Sequence, residues 1–210
     1  RFAIIFEIRK LKSNMIEFYI SMYPKHHMIK NGHIDKCQVC NSTKLNLILD
    51  LGHQPLCDSL LSKTTLDEHE ITYPLRMNWC EDCSLAQLDY CVDGSTVYHL
   101  DYPYRSGVTK ELVEYQKSIS ESLVSKYNLQ NSDLVVDLGS NDGTLLSGFK
   151  ELGIKVLGIE PTNIGKIANE NGIETLQEFF TEGVANKIKE NHGKASLILS
   201  TNMFAHMSTI

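Results

Sequence analysis

The chain has 210 residues, of which 42% are hydrophobic and 22% charged, and its formal net charge at pH 7 is -6. This composition is ordinary for a globular protein and argues against a disordered chain. Acidic and basic residues are mixed along the chain, so no basic stripe is present to neutralise a phosphate backbone, and we expect no nucleic-acid partner. Because no apolar run reaches 18 residues, we expect a soluble, cytoplasmic protein without a membrane span.

The chain begins with a segment, residues 1–27, for which two interpretations stay open. Apolar residues recur at roughly helical spacing over residues 7–20, which favours an amphipathic helix, whereas the alternative is a leader without regular structure. Arg1 is not an initiator residue. Three methionines precede the first organised segment, namely Met15, Met22 and Met28. The sequence therefore leaves the start codon open.

A small β-rich domain is predicted at residues 28–106, which contain two Cys-x-x-Cys pairs, Cys37 with Cys40 and Cys80 with Cys83. Without a secretory signal, the cysteines are expected to be reduced, so metal binding is considered before disulfides. The two-residue gap lets both thiolates of a pair reach one ion about 2.3 Å away, and two pairs complete a tetrahedron. We therefore predict a zinc ion. Because sulfur fills all four positions, we expect it to be structural and not catalytic.

Several alternatives accompany this prediction. The pairs could instead form a redox dithiol, or the cysteines could be unrelated buried residues. Cys57 and Cys91 have no paired spacing, and for these we favour packing in the core, where free cysteine behaves as a small hydrophobic residue. His53 could replace a cysteine at the metal, although its place in residues 51–55 (LGHQP) favours a turn.

A second domain is predicted at residues 107–210, where helices and strands alternate. After a helical pattern over residues 118–129, residues 134–138 form a short apolar run that is typical of a central strand in a parallel sheet. A glycine-containing turn at residues 139–144 and an apolar-periodic helix follow. This order places backbone N–H groups and a helix N-terminus around a ligand at the carboxyl end of the sheet.

The turn also predicts the charge of that ligand. A dinucleotide-binding loop requires Gly-x-Gly-x-x-Gly for the pyrophosphate, but here the second glycine is missing and the carboxylates of Asp137 and Asp142 flank the turn. Gly139 and Gly143 let a ligand approach the backbone closely. Because carboxylates repel phosphate and attract a cation, we predict S-adenosylmethionine, which carries an amino group and a sulfonium.

The next strand is predicted at residues 154–159 and ends in Glu160, whose carboxylate can accept hydrogen bonds from both ribose hydroxyls. Further helices and strands are predicted at residues 163–171, 173–176, 181–189 and 195–200. Four strands alternating with helices predict a doubly wound α/β fold. In an alternative interpretation, Asp137 and Glu160 only cap helices of an α/β domain.

From Cys37 onward the sequence resembles the sugar C-methyltransferases that act on nucleotide-linked deoxyketosugars. Beside the paired cysteines, the resemblance rests on residues 51–55 (LGHQP), 102–106 (YPYRS), 137–143 (DLGSNDG), 158–161 (GIEP) and 201–206 (TNMFAH). It implies a Rossmann-like class I methyltransferase fold after the zinc domain, with S-adenosylmethionine and a structural zinc ion as cofactors. It also implies a nucleotide-sugar substrate, held in part by a further C-terminal domain.

The resemblance assigns site residues as well. Three residues match positions that face the sugar: His206, Tyr104 and, as the second choice, Tyr102. The residues predicted to bind the cofactor are Asp137, Gly139, Asn141, Asp142, Gly143, Glu160, Glu178, Phe179 and Asn202. Among them, Glu178 and Phe179 match the adenine pocket, and Asn202 matches a position beside the methionine part. For His206 the alternative is a hydrogen bond to a backbone carbonyl at the strand end, and for the tyrosines it is a packing role.

The family has further active-site residues, a tyrosine, a glutamate and a histidine, beyond the fourth strand, whereas this chain ends at Ile210. Four of the seven strands of a complete methyltransferase sheet are recognised, so we expect a fragment that is inactive by itself.

The implied function is methylation of a carbon next to a ketone, through an enolate. Two other functions stay open: an inactive zinc-containing binding or scaffolding protein, and methylation of oxygen or nitrogen on a small metabolite. The sugar, the methylated carbon, the nucleotide and the oligomeric state are not predicted.

Overall fold

The computed structural model describes residues 32–207. The predicted leader at residues 1–27 therefore lies outside the described part of the chain. The described residues form two compact units, which we name the cysteine unit (residues 32–99 and 205–207) and the sheet unit (residues 100–204). None of the helices within residues 32–207 is long and apolar enough to cross a membrane.

The cysteine unit is built from short antiparallel strands, as the sequence predicts. The elements are β1 (Gly32–His33), β2 (Leu45–Pro55), β3 (Thr72–Cys80), β4 (Ala86–Leu88), β5 (Tyr90–Cys91) and a short helix α1 (Gly94–Val97). Three strands form one sheet in the order β2-β3-β4, and β1 pairs separately with β5. The turn between β3 and β4 places the second cysteine pair at one end of the larger sheet.

Two predictions for this unit are wrong. His53 lies within β2 and not in a turn, because the strand continues through an irregular register after Asp50. Cys57 is exposed and not packed in a core, because residues 56–71 connect β2 to β3 without pairing to another strand. Cys91 is half-buried in β5.

The sheet unit alternates strands and helices. Its elements are a 3-10 turn (Ser106–Val108), α2 (Lys110–Tyr127), β6 (Leu134–Leu138), α3 (Thr144–Glu151), β7 (Lys155–Ile159), α4 (Ile164–Glu170), β8 (Thr175–Leu176), α5 (Glu182–His192) and β9 (Leu197–Leu199). The four strands are parallel and lie in the order β8-β7-β6-β9. The chain proceeds from β6 to β7 and β8 on one side and returns to β9 on the other, which confirms the Rossmann-like fold. A topological switch between β6 and β9 is where such sheets bind ligands.

Alternate residues of β6 face two separate cores, and every residue of this strand is buried. Val135 packs on one face, in the core that contains Phe149 of α3. Val136 packs on the opposite face, in the core that contains Val184 of α5. Helices therefore cover both faces of the sheet, as the continuous apolar run predicts. The carboxyl end of β6 is thereby held in a fixed position below the glycine turn.

Candidate functional site

The four cysteines of the two pairs form one cluster. Their Sγ atoms all lie within 4.8 Å of one another, with 3.4 Å between Cys37 and Cys83 and 3.6 Å between Cys40 and Cys80. Sulfur ligands at about 2.3 Å in a tetrahedron lie about 3.8 Å apart, so the cluster fits such an ion. Among the described residues, no other group of three or more metal-binding side chains is this close.

Both cysteine pairs have the same backbone geometry. The N–H of Asn41 donates to the carbonyl of Cys37, and the N–H of Ser84 donates to the carbonyl of Cys80, each at 2.9 Å. Asn41 and Ser84 are both left-handed, with φ of 59° and 64°. Because the same tight turn follows each pair, the two pairs present their sulfur atoms to a common centre although they are far apart in the sequence.

The electrostatics of the cluster are consistent with a bound cation. Burial acts to raise the pKa of the Cys37 thiol, but the backbone N–H groups of Cys40 and Val39 stabilise the thiolate and hold this pKa at about 7. The backbone N–H of Leu85 acts to lower the pKa of Cys83, but the neighbouring Cys37 sulfur and burial raise it to about 12. Four thiolates this close repel one another, so all of them ionise together only around a metal ion.

The turn after β6 is shaped for close approach to the backbone. Three of its residues are left-handed: Gly139 at φ 73°, Asn141 at φ 53° and Gly143 at φ 77°. The N–H groups of Gly139 and Ser140 donate to the carbonyl of Ile159 at 2.8 and 3.1 Å, which ties the turn to the end of β7. A Cβ atom at position 139 would lie 2.7 Å from the side chain of Met203, so only glycine fits there.

Asp137 is the last but one residue of β6, and its side chain is enclosed by the sheet unit. The residue is 1% exposed, and its Oδ1 atom has no hydrogen-bond partner among the described residues. Burial raises the pKa of this carboxyl to about 7, and the charge of Glu160 contributes to the rise. Buried polar atoms without a partner are uncommon in folded proteins. Asp137 is therefore suited to pair with a cationic group of a ligand.

Two serines that sequence reasoning missed have the same property. The Oγ atoms of Ser140, after β6, and of Ser200, after β9, are buried without a partner in the described part of the chain. Both follow the carboxyl ends of buried strands, which is the signal that could have identified them. With Asp137 they give this edge of the sheet one acceptor and two hydroxyl groups for a polar ligand.

Glu160 follows β7 and is also buried, at 6% exposure. Its Oε1 atom accepts hydrogen bonds from the N–H of Thr162 at 3.0 Å and from the hydroxyl of Thr162 at 2.7 Å. Its Oε2 atom accepts one hydrogen bond, from the N–H of Asn141 at 3.1 Å. A carboxylate oxygen can accept two, so Oε2 keeps capacity for a ligand hydroxyl.

The side chains of Asn141 and Asp142 contact another part of the chain, residues 104–107. Asn141 Oδ1 accepts from the N–H of Ser106 at 2.8 Å, and Asn141 Nδ2 donates to the carbonyl of Tyr104 at 3.0 Å. Asp142 Oδ2 accepts from the N–H of Gly107 at 2.9 Å. Nothing in the local sequence pattern predicts this contact, because the two segments are 35 residues apart.

The other predicted site residues occupy different positions. Glu178 and Phe179 follow β8, where Glu178 forms an ion pair with Lys187 and Phe179 is exposed. Asn202 follows β9, is left-handed at φ 58° and is exposed. The tyrosines lie before the 3-10 turn of the sheet unit, Tyr104 exposed and Tyr102 half-buried. His206 belongs to the cysteine unit, where its ring packs edge-on against Tyr98 at 6.1 Å.

The structure thus brings six of the predicted residues together at one edge of the sheet: Asp137, Gly139, Asn141, Asp142, Gly143 and Glu160. They follow or end the neighbouring strands β6 and β7. Glu178 and Phe179 follow β8, which is the next strand of the sheet, and Asn202 follows β9 on the other side of β6.

Comparison with known proteins adds two findings. Residues 37–98 match the Methyltransf_13 family, described as "Putative zinc binding domain". Over 178 residues, or 84% of this chain, the sequence is 30% identical to a protein of Streptomyces niveus named C-methyltransferase NovU. The chain spans 42% of the length of that relative. The zinc-binding domain and the four close sulfur atoms identify the metal as zinc, and S-adenosylmethionine is the cofactor expected of a methyltransferase relative.

Proposed function

We propose that the whole protein uses S-adenosylmethionine to methylate a carbon of a nucleotide-linked deoxyketosugar. The reason is that the chain is a relative of the sugar C-methyltransferases with an N-terminal zinc-binding domain. The observation that carries the cofactor part of this proposal is the unpartnered, buried Oδ1 atom of Asp137 beside the glycine turn. The substrate part is supported by the sequence resemblance and by the word C-methyltransferase in the name of the relative.

The two buried carboxylates favour a cationic cofactor over a dinucleotide. Asp137 lies in β6 and Glu160 directly follows the adjacent parallel strand β7, so a pyrophosphate at the glycine turn would face both carboxylates. An ammonium group would instead neutralise Asp137 in an environment where its charge is poorly solvated. The free capacity of Glu160 Oε2 suits a ribose hydroxyl. When bound, S-adenosylmethionine supplies an electrophilic methyl group to the substrate carbon.

The proposed substrate defines what the protein must contribute. A ketone makes the neighbouring C–H acidic, so a base that takes its proton leaves an enolate whose negative charge lies mostly on oxygen. General-base assistance contributes about 10²–10⁴-fold, whereas alignment of two reactants can remove roughly 7–11 kcal/mol of the barrier. Placement of the sugar and of the cofactor is therefore the larger contribution of this protein.

His206, Tyr104 and Tyr102 are the residues that we propose for the sugar side. The imidazole of His206 has ring nitrogens that can accept or donate a hydrogen, so His206 is a candidate to accept the substrate proton or to donate a hydrogen bond to the enolate oxygen. In the sheet unit, the exposed ring of Tyr104 has a hydroxyl that can donate a hydrogen bond to a sugar oxygen. The side chains of His206 and of Tyr104 are each exposed within their own unit.

Two measurements test the proposal, one for each part. In calorimetry, S-adenosylmethionine and its demethylated product S-adenosylhomocysteine are expected to bind, whereas NAD+ is not. With S-adenosylhomocysteine bound and a nucleotide-linked ketosugar in heavy water, the full-length protein is expected to introduce deuterium at the carbon next to the ketone. Binding of NAD+ in preference to S-adenosylmethionine would refute the cofactor. A methylated product without any such exchange, with the methyl group on oxygen or nitrogen, would refute carbon methylation.

A further inference from the structure

The segment at residues 104–107 is fixed to the glycine turn by hydrogen bonds to two side chains. Asn141 bonds to both the carbonyl of Tyr104 and the N–H of Ser106, and Asp142 accepts from the N–H of Gly107. The contact is tight, since a Cβ atom at Gly107 would lie 2.9 Å from Asp142 Oδ2. The segment therefore takes its position from the turn.

Both polar atoms of the Asn141 amide take part in this contact. Its oxygen accepts from Ser106 and its nitrogen donates to Tyr104, both at ordinary hydrogen-bond distances. The residue is 9% exposed, so little of the side chain is left for a ligand. Its backbone N–H donates to Glu160, and its left-handed φ of 53° allows the backbone and the side chain to point to these different partners. One residue thus joins Glu160 to the segment that carries Tyr104.

We infer that Asn141 is a positioning residue and not a direct cofactor ligand: its side chain holds residues 104–107 so that Tyr104 has a fixed place relative to the cofactor turn. The inference rests on the proposed function where it concerns methyl transfer. Its structural part, that Asn141 orders this segment, is independent of the substrate. The assignment of Asn141 to the cofactor by resemblance is replaced by an indirect role, which affects turnover more than cofactor affinity.

The test is Asn141→Gly in the full-length protein. Glycine accepts the left-handed backbone without strain and keeps the N–H that donates to Glu160, so only the two side-chain hydrogen bonds are lost. Asn128→Gly is the matched control, because Asn128 is also left-handed, at φ 49°, and ends helix α2 away from the turn. Both variants bear the same entropy cost of an added glycine.

Three readouts separate positioning from direct binding. Amide hydrogen exchange at Ser106 is expected to be faster in Asn141→Gly and unchanged in Asn128→Gly, because Asn141 Oδ1 is the acceptor of that N–H. The KM for S-adenosylmethionine is expected to stay within about threefold, whereas kcat falls about 10- to 100-fold, since a small misplacement of a reacting group costs rate. The melting temperature of Asn141→Gly is expected to be lower than that of Asn128→Gly, because the N–H of Ser106 and the carbonyl of Tyr104 lose their partner, so exchange and kinetics are measured well below both transitions.

Other outcomes would overturn the inference. Unchanged exchange at Ser106 would show that Asn141 does not order the segment. A rise of more than tenfold in the KM for S-adenosylmethionine with kcat unchanged would make Asn141 a direct ligand. Failure of the unsubstituted protein to bind S-adenosylmethionine would refute the proposed function instead, and the exchange measurement would still decide whether Asn141 orders residues 104–107.

Discussion

The backbone N–H of Asn141 donates to the carboxylate of Glu160 at 3.1 Å, and this hydrogen bond joins the turn after β6 to the end of β7. Thr162 adds two further hydrogen bonds to the same carboxylate. Glu160 therefore stabilises the edge of the sheet before any ligand is bound. The residue assigned to the ribose from sequence is also part of the framework that shapes the site.

Glu160→Ala is expected to weaken the binding of S-adenosylmethionine by about 10-fold, which corresponds to about 1.4 kcal/mol for the one ribose hydrogen bond that Glu160 Oε2 can accept in a buried site. The melting temperature without ligand is also expected to fall, because the N–H groups of Asn141 and Thr162 lose their acceptor. Calorimetry and thermal unfolding measure the two effects.

Glu174→Ala serves as the control for this experiment. Glu174 is an exposed carboxylate near His192 of α5, and its removal is expected to leave both quantities nearly unchanged. Cofactor affinity that is equal in Glu160→Ala and in Glu174→Ala would contradict the ribose assignment.

Asp137→Asn is expected to stabilise the ligand-free protein increasingly as the pH rises from about 4 through 7. Burial raises the pKa of Asp137 from 3.8 to about 7, so in this window the folded protein binds more protons than the unfolded chain. The folding free energy of the native sequence therefore becomes less favourable as the pH increases, whereas a neutral amide carries no such dependence. Thermal unfolding at pH 5 and pH 8 measures the difference.

Although Asp137→Asn is expected to stabilise the ligand-free protein, its affinity for S-adenosylmethionine is expected to fall, because the amide cannot neutralise the ammonium group of the cofactor. The control is Asp101→Asn, which removes an exposed carboxylate of the same unit. A difference in melting temperature between Asp137→Asn and the native protein that is the same at pH 5 and pH 8 would show that Asp137 does not titrate in this range.

Sequence patterns predict the strand bounds of the sheet unit better than its helix bounds. The buried apolar run of β6 is predicted to the residue, because a central parallel strand needs apolar side chains on both faces. Helix α2, in contrast, begins at Lys110 and not at residue 118, because none of residues 110–117 is buried and the start of the helix depends on the Thr109 side chain, which accepts from the N–H of Leu112. Periodicity identifies the buried part of a helix and misses its exposed part.

Some features of the candidate site follow from the sequence, whereas others follow only from the fold. The metal ligands follow from spacing alone, because a Cys-x-x-Cys pair determines its own local geometry, and the four sulfur atoms meet as expected. The partners of Asn141 do not follow from spacing, because residues 104–107 reach the turn only through the fold. The sequence could place Ser200 after a buried strand, but the lack of a hydrogen-bond partner for its hydroxyl follows only from the fold.

The protein is expected to contain one zinc ion, and a strong chelator is expected to unfold the cysteine unit. Structural zinc sites supply folding free energy, so removal of the ion leaves a small unit with few buried residues unstable. Trp79 is the single tryptophan of the chain and precedes Cys80 in β3, so its fluorescence reports on this unit. Elemental analysis gives the zinc content.

Cys37→Ser is expected to lose the zinc ion, whereas Cys57→Ser is the matched control and is expected to keep it. Cys57 is exposed and lies outside the four-sulfur cluster, so the two variants differ only in whether a ligand is removed. Equal zinc contents in the two variants, or no zinc after expression with added metal, would refute the metal site.

Gly139→Ala is expected to destabilise the sheet unit more than Gly153→Ala does. Both glycines are left-handed, with φ of 73° and 81°, so each alanine brings a backbone strain of roughly 1–2 kcal/mol. At position 153 the nearest atom to the new Cβ is at 3.5 Å, an ordinary contact, whereas at position 139 the Met203 side chain is at 2.7 Å. Overpacking adds about 1–3 kcal/mol there, because the turn and the segment after β9 must separate.

Thermal unfolding of both variants measures the difference, and cofactor affinity should fall only in Gly139→Ala. Equal losses of stability would mean that Met203 moves aside without cost.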